Sequence, residues 1–434
     1  MTTEITTHGA ASPDEHLDPG KPHALEHITV VDFTRVLAGP TCTRMLADAG
    51  ARVIKIERPG TGDDTREMGP SASDGTSEYY RFANLGKESI ALNLKDPDDL
   101  AVVESMIAKA DVVVENFRPG VMAKLGLDPA KLVQEHPRLI VCSISGFGQY
   151  GPLHMQAAYD TVIQAISGIM DASGEPDGGP TRVGTSISDI LGGIFGYCGV
   201  VTALAARERT GKGTTIDVAM LDATFATMEQ GLMDALGVHQ RPHRIGNRHP
   251  SMAPFDTYRC ADQLIAICCG NDHLFGILAS TLGQPGLATD PRFATNVDRT
   301  NNQAELKAAM EQVLRTDNAA AWQERLEDAG IPVSLVLNVD DTRKLEQIKV
   351  RGMVKDVGGF QVPGNPIKFG AYNSLGTSIP APGLSNQGDA LRAEFGNCAR
   401  HQPRLARTYK IFSDLLGVAG SVAELGPQRV ALVA

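Results

Sequence analysis

Residues 181–193 read TRVGTSISDILGG. One carboxylate, Asp189, stands there among small and apolar residues, with Gly192 and Gly193 just beyond it and Arg182 as the nearest basic residue. Two chemistries suit it. An aspartate at a glycine-flanked helix start is commonly an N-cap, a role that stabilises by about 0.5–2 kcal/mol. A partly desolvated carboxylate is also a nucleophile, able to attack an activated acyl group and form a mixed anhydride, so that a hard exchange becomes two easier steps. In that second reading Gly192 and Gly193 leave room for a thioester and offer backbone N–H donors to a developing oxyanion.

Other stretches pose the same kind of choice. In QAAYDTVIQAISGIM (156–170), Tyr159 beside Asp160 is either a core aromatic or a phenol that hydrogen-bonds substrate. In GNRHPSMAPFDTY (246–258), Arg248 and His249 are either solvated loop residues or a carboxylate-recognition pair with a bidentate guanidinium. Lys55, Arg58, Arg118 and Lys124 follow strand-like runs and can meet phosphates, while Phe117 can cover a purine face. The 11 histidines show neither H-E-x-x-H nor H-x-x-E-H spacing and the seven cysteines no C-x-x-C, so no metal site and no disulfide framework is expected.

The elements that must position these groups alternate. ITVVDF (28–33), ARVIKIE (51–57), DVVVENF (111–117) and RLIVCSISGFG (138–148) read as buried strands, separated by helical GPTCTRMLADAG (39–50) and PDDLAVVESMIAKA (97–110). Short apolar strands alternating with helices predict an α/β fold, with a Rossmann-like parallel sheet whose ligands gather at the strands' carboxyl ends. No G-x-G-x-x-G or Walker A pattern supports a nicotinamide or nucleoside triphosphate. Residues 189–210 and 217–238 read as helices, LIAICCGND (264–272) as a strand, and 303–315 and 319–330 as amphipathic helices of a smaller α/β domain. VPGNPIKFG (362–370) reads as extended.

The chain has 434 residues, 42% hydrophobic and 21% charged, which suits a soluble protein of two domains. Its formal charge of −11 argues against nucleic acid as a partner. No run approaches the roughly 18 apolar residues of a membrane span, and the opening residues lack a signal-peptide pattern, so the expectation is a cytoplasmic protein with no membrane partner. Residues 1–27 read as a mobile tail, 28–220 as the first part of the large domain, and 221–249 as a linker helix and loop. Residues 250–330 read as the small domain, 331–396 as the return linker and C-terminal part of the large one, and 397–434 stay unassigned.

Several of these stretches occur together and in order: VVDFTRVLAGPTCTRMLADAGARVIKIERPGTGDDTR, ADVVVENFRPGVMAKLGL, SISGFGQYGP, AYDTVIQAISGIM, RVGTSISDILGG and RTGKGTTIDVAMLDA. In this the sequence, from about residue 28 to 396, resembles the class III CoA-transferases, the formyl-CoA transferase and carnitine-CoA transferase type. RIGNRHPSMAPFDTY, AICCGNDHLF and VPGNPIKFG look most similar to the branch that moves CoA from acetyl-CoA to oxalate. The resemblance implies that Asp189 is the nucleophile, passing through an aspartyl anhydride and an aspartyl-CoA thioester, with Tyr159 next to the acyl group. It implies that Arg58, Leu92, Asn116, Phe117 and Lys124 lie along CoA, with the Leu37 and Ala38 backbone near the pantetheine. It implies an interlocked homodimer, in which the loop of Arg248 and His249 serves one chain or its partner.

The expected function is therefore transfer of CoA from acetyl-CoA, or another short acyl-CoA such as formyl-CoA, to oxalate, giving oxalyl-CoA, with CoA as substrate and no metal or redox cofactor. The alternatives are a larger dicarboxylate acceptor such as succinate, itaconate or mesaconate, and a non-catalytic acyl-CoA-binding protein. Alpha-methylacyl-CoA racemases resemble the same fold but carry a histidine where this chain has Tyr159. Two departures from the family pattern stand out: Asn386–Gln387 replaces its C-terminal Gln-His, and 397–434 match nothing in it.

Overall fold

Runs dominated by valine and isoleucine form parallel strands because a strand covered on both faces keeps no polar side. In the computed structural model, which describes residues 21–373 and 379–399, six strands make one sheet. They are β1 (Thr29–Asp32), β2 (Arg52–Glu57), β3 (Lys87–Ala91), β4 (Val112–Glu115), β5 (Ile140–Ser145) and β6 (Thr215–Ala219). Their order is β3-β2-β1-β4-β5-β6. β1 pairs in parallel with both β2 and β4, placing Val31 opposite Ile54 and Val113. This is the doubly wound order, whose direction of winding switches between β1 and β4 and leaves a crevice at their carboxyl ends.

Two strands escape the hydrophobic pattern. β3 reads KESIA, and its polar positions have partners: Ser89 Oγ donates to Glu57 Oε1 (2.6 Å) and the Ser89 amide to Gln387 Oε1 (3.0 Å). Gln387 and Ser385, whose hydroxyl accepts from the Ala91 amide (3.1 Å), close an edge that would otherwise invite another strand. Residues 217–238 are not one helix. Thr215, Ile216 and Val218, all β-branched, sit in β6, followed by helices Met220–Ala226 and Glu229–Gly237.

Residues 21–155, 192–218, 357–373 and 379–399 form one compact unit around this sheet. Val31, Ile54, Val113 and Val141 are its core, covered by Val103, Met106 and Ile107 of helix Pro97–Ile107 and by Leu391 and Phe395. That helix starts where the sequence dictates, with Asp96 accepting from the Asp98 and Asp99 amides and Pro97 at the first position. The expected tail to residue 27 is too long: the Leu25 amide donates to Ala49 (2.9 Å) and the Asn373 amide to Pro22 (3.1 Å). Residues 1–20 and 400–434, most of both tails, lie outside the described residues.

Residues 156–191 and 219–356 form the other unit. Its antiparallel sheet joins β7 (Phe255–Arg259), β8 (Leu264–Cys268) and β9 (Val333–Leu335) in that order. Phe275, Leu278, Leu306, Met310, Trp322 and Leu326 fill the core beside it. The unit thus extends well to either side of the 250–330 segment.

Helix Ile187–Thr210 belongs to both units by sequence, the division falling after Leu191. Its most apolar 18-residue window has a mean hydropathy of 1.6, so the helix is long and apolar enough, by length and composition, to cross a membrane, which corrects the expectation that no stretch reaches that limit. Of its most apolar window, 39% is buried.

Candidate active site

Asp189 lies in the first turn of helix Ile187–Thr210. It is not the N-cap. The Ile190 amide bonds to the Ser186 carbonyl (3.1 Å), so the helix starts from Ser186. The free amide of Ser188 is met from elsewhere, by Asp160 Oδ1 at 2.9 Å. Asp160, 5% exposed, opens helix Asp160–Ser167, and its Oδ2 accepts from Gln164 Nε2 (2.7 Å). Gln164 Oε1 in turn accepts the Val183 amide (2.9 Å), stitching the 181–186 loop to the same helix. The capping task falls to Asp160 and frees Asp189 for another role.

Among the described residues the Asp189 carboxylate accepts no hydrogen bond. Burial, joined by the negative charge of Asp160, pushes it up to about 7. Its first-turn position works in the opposite sense, since a helix N-terminus favours an anion. The net result is a poorly solvated carboxylate whose proton is held more tightly than that of an ordinary aspartate. Tyr159 immediately precedes Asp160 and stands 66% exposed, which overturns the core reading of its ring. Tyr159, Asp160, Ser188 and Asp189 are thus drawn together by one hydrogen bond.

The glycines after Asp189 have a different task from the expected one. Gly192 and Gly193 are internal to the helix, where amides bond to carbonyls four residues back, so they are not oxyanion donors. Gly193 is instead a packing position: a Cβ there would come within 2.5 Å of Thr41 Cβ and 2.7 Å of the Ala38 carbonyl oxygen.

At the carboxyl ends of β1, β2, β3 and β4 the sheet unit holds a cavity of about 420 Å³. Arg58, Leu92 and Phe117, all expected to lie along CoA, line it, and sequence reasoning missed Phe33, Arg35 and Lys95 beside them. The signal for Lys95 was its place four residues past β3, a strand not recognised. Arg35 and Arg58 both pair with Asp64, at 3.3 Å for Arg35, so an arriving phosphate competes with one carboxylate for two cations. Phe117 is oriented by Glu115, whose Oε2 accepts its amide (2.8 Å). Lys124 is exposed at the end of helix Val121–Lys124 and does not line the cavity, although Val121 and Leu125 do.

A buried ionic layer adjoins the cavity, with Lys55 and Asp63 part of its lining. Lys55 meets Asp63 at 2.8 Å and Lys87 meets Asp32 at 3.0 Å. Burial raises Asp63, but the Lys55 ammonium outweighs it and holds the carboxyl at about 2. Leu37, 4% exposed, is the cap residue of helix Ala38–Asp48, which has no side-chain cap among the described residues. Just before it, Val36 has φ +67°, a left-handed conformation that costs a β-branched residue on the order of 1–3 kcal/mol. Asn116 does not line the cavity; its amide is bonded to the backbone of Arg35.

Arg248 and His249 line a cavity of about 630 Å³ in the other unit, with Arg241 and His243. Arg241 is neutralised by Asp171 (2.7 Å), whereas Arg248 forms no ion pair among the described residues. His249 locks its own loop: its amide donates to Phe255 (2.9 Å) and its Nδ1 accepts from the Ser251 amide (3.1 Å). No group of His, Cys, Asp and Glu residues suited to a metal ion occurs among the described residues.

A family model described as CoA-transferase family III matches residues 25–387. The chain is 52% identical over 379 residues to an acetyl-CoA:oxalate CoA-transferase of Acetobacter aceti, covering 87% of this chain and 97% of that one. It is 38% identical to a succinate–glutarate CoA-transferase of Agrobacterium fabrum, over 88% and 98% of the two chains. Among solved structures, a CAIB/BAIF family protein from Brucella suis superimposes with a TM-score of 0.79 at 38% identity, covering 86% of this chain and all of that one.

Proposed function

The chain belongs to CoA-transferase family III, and from that premise we propose that it transfers CoA from acetyl-CoA, or another short acyl-CoA such as formyl-CoA, to oxalate. The observation that carries this reading is Asp189, a half-buried carboxylate that accepts no hydrogen bond from the described residues and is pushed up to about 7.

In the proposed mechanism an Asp189 oxygen attacks the thioester carbonyl, the C–S bond breaks, and CoA leaves as a thiolate from an aspartyl anhydride. The thiolate then attacks the Asp189 acyl carbon, releasing acetate and leaving an aspartyl-CoA thioester. Oxalate attacks that thioester, and the returning thiolate yields oxalyl-CoA and free Asp189. Tyr159, exposed beside the Asp160 anchor, would hydrogen-bond the acyl oxygen. The cavity of Phe33, Arg35, Arg58, Lys95 and Phe117 would hold the nucleotide end of CoA, cations on phosphate and rings on purine. Arg248 would bind the acceptor's carboxylate. Because every step is carboxylate and thioester chemistry, the reading calls for no metal or redox cofactor.

The choice of oxalate rests on the 52% relative set against glutarate-using relatives at 36–38%. A homodimer belongs to the same reading, with copies interlocked, since helix faces carrying Val162, Ile166, Met233 and Leu236 are exposed in the single chain. Cys42, Cys142, Cys198, Cys260, Cys268 and Cys269 are free thiols, which fits a cytoplasmic enzyme.

The test offers acetyl-CoA, formyl-CoA and succinyl-CoA in turn against oxalate, succinate and itaconate, with products identified by mass spectrometry. Oxalyl-CoA from acetyl-CoA with the natural chain, and none with Asp189→Ala, is the expected result. Brisk exchange onto a larger diacid only would overturn the oxalate assignment, and CoA binding without any exchange would make the protein a binder.

A further inference from the structure

The segment Thr34–Val36 joins β1 to helix Ala38–Asp48 and is held at nearly every backbone group. The Thr34 amide donates to Asp32 Oδ1 (2.8 Å) and the Thr34 carbonyl accepts from Lys55 Nζ (2.7 Å). The Arg35 amide donates to Asn116 Oδ1 (2.9 Å), and the Arg35 carbonyl accepts from Asn116 Nδ2 (2.8 Å). The Val36 amide donates to Asp63 Oδ1 (3.2 Å). The clamping groups come from four different places: β1, β2, the end of β4 and the loop after β2.

Two further observations show what the clamp holds. Val36 sits at φ +67°, a conformation that valine leaves unless its surroundings over-determine it. Gly39 has no room for a side chain: a Cβ would fall 2.5 Å from Thr34 Cβ and 3.0 Å from Asn116 Cγ. The first helical turn is therefore pressed onto the same asparagine that grips Arg35.

We propose that Asn116 is a positioning residue, which with Asp63 and Lys55 holds Thr34–Val36 in a strained conformation so that Arg35 is presented to the cavity that would hold the phosphates of CoA. This rests on the transferase reading above. It also changes the role expected of Asn116, whose carboxamide oxygen and nitrogen both bond to protein backbone.

The test is a rescue. Asn116→Ala removes the clamp; Val36→Gly removes the reason a clamp is needed, because glycine takes positive φ without strain. We expect Asn116→Ala to lower kcat/KM for acyl-CoA at least about tenfold, Val36→Gly to stay within about threefold of the natural chain, and the double variant to recover most of the loss. Amide exchange at Arg35 and Val36 should quicken in Asn116→Ala in parallel. A double variant no better than Asn116→Ala would overturn the proposal, as would an Asn116→Ala enzyme with unchanged kinetics. Failure of the transferase reading is separable from both, because it shows as a natural chain that exchanges no acyl group at all.

Discussion

A carboxyl that titrates near neutrality is a burden on folding, and Asp189 allows that burden to be measured. Its native value of about 7 lies above the ordinary 3.8 because of burial and the charge of Asp160. Between about pH 4 and 7 the folded chain therefore holds a proton that the unfolded chain has lost, and stability falls as pH rises through that window. The full difference, roughly 3 pH units at 1.36 kcal/mol each, sets an upper limit of about 4 kcal/mol above pH 7. Asp189→Asn should match the natural chain in melting temperature at pH 4.5 and exceed it by about 2 °C or more at pH 8. An equal difference at both values would mean that the native carboxyl ionises normally. The same titration predicts an acid limb near pH 7 in kcat/KM, since only the carboxylate attacks. The residue type and its glycine-rich setting were legible in the sequence. The anchor was not, because Asp160 is distant in sequence and reaches helix Ile187–Thr210 only through a tertiary hydrogen bond to the Ser188 amide.

Elements were legible where one physical effect dominated. Continuous valine and isoleucine runs gave β1, β2, β4 and β5, and Asp96 with Pro97 marked the start of helix Pro97–Ile107. β3 was not readable, because Lys87 and Ser89 look solvent-facing until Asp32 and Glu57 are seen beside them. Nor was the role of Gly193, which depends on helix Ala38–Asp48 lying against it. Placing a methyl 2.5 Å from Thr41 Cβ and 2.7 Å from a backbone oxygen forces two helices apart, and overpacking of this kind costs about 1–3 kcal/mol. Gly193→Ala should therefore lower the melting temperature. Gly237→Ala is the control, since it ends helix Glu229–Gly237 with nothing within 4 Å of the new Cβ and should be neutral or slightly stabilising. Equal effects of the two would show that helix propensity, and not the close approach, governs position 193.

At the scale of the whole molecule, the exposed apolar side chains are where the proposed homodimer can be tested. Val162 and Ile166 share one face of helix Asp160–Ser167 and are 46% and 50% exposed, and Met233 and Leu236 are 64% and 62% exposed on helix Glu229–Gly237. With a formal charge of −11 on each copy, long-range electrostatics oppose self-association, and burial of these apolar side chains would supply an opposing driving force. The expected solution mass is twice 46.1 kDa by light scattering, unchanged on dilution to nanomolar concentration. Val162→Asp with Ile166→Asp should lower that mass or leave an aggregating chain, because it buries charge without partners. The proposed interlocking would add a kinetic consequence that an ordinary apolar dimer lacks. Two chains threaded through one another exchange subunits only by unfolding, so tagged and untagged dimers mixed under native conditions should yield no mixed dimer over days, and yield it only after refolding together. Mixed dimers appearing within hours, with the fold intact, would leave the apolar contact standing and remove the threading.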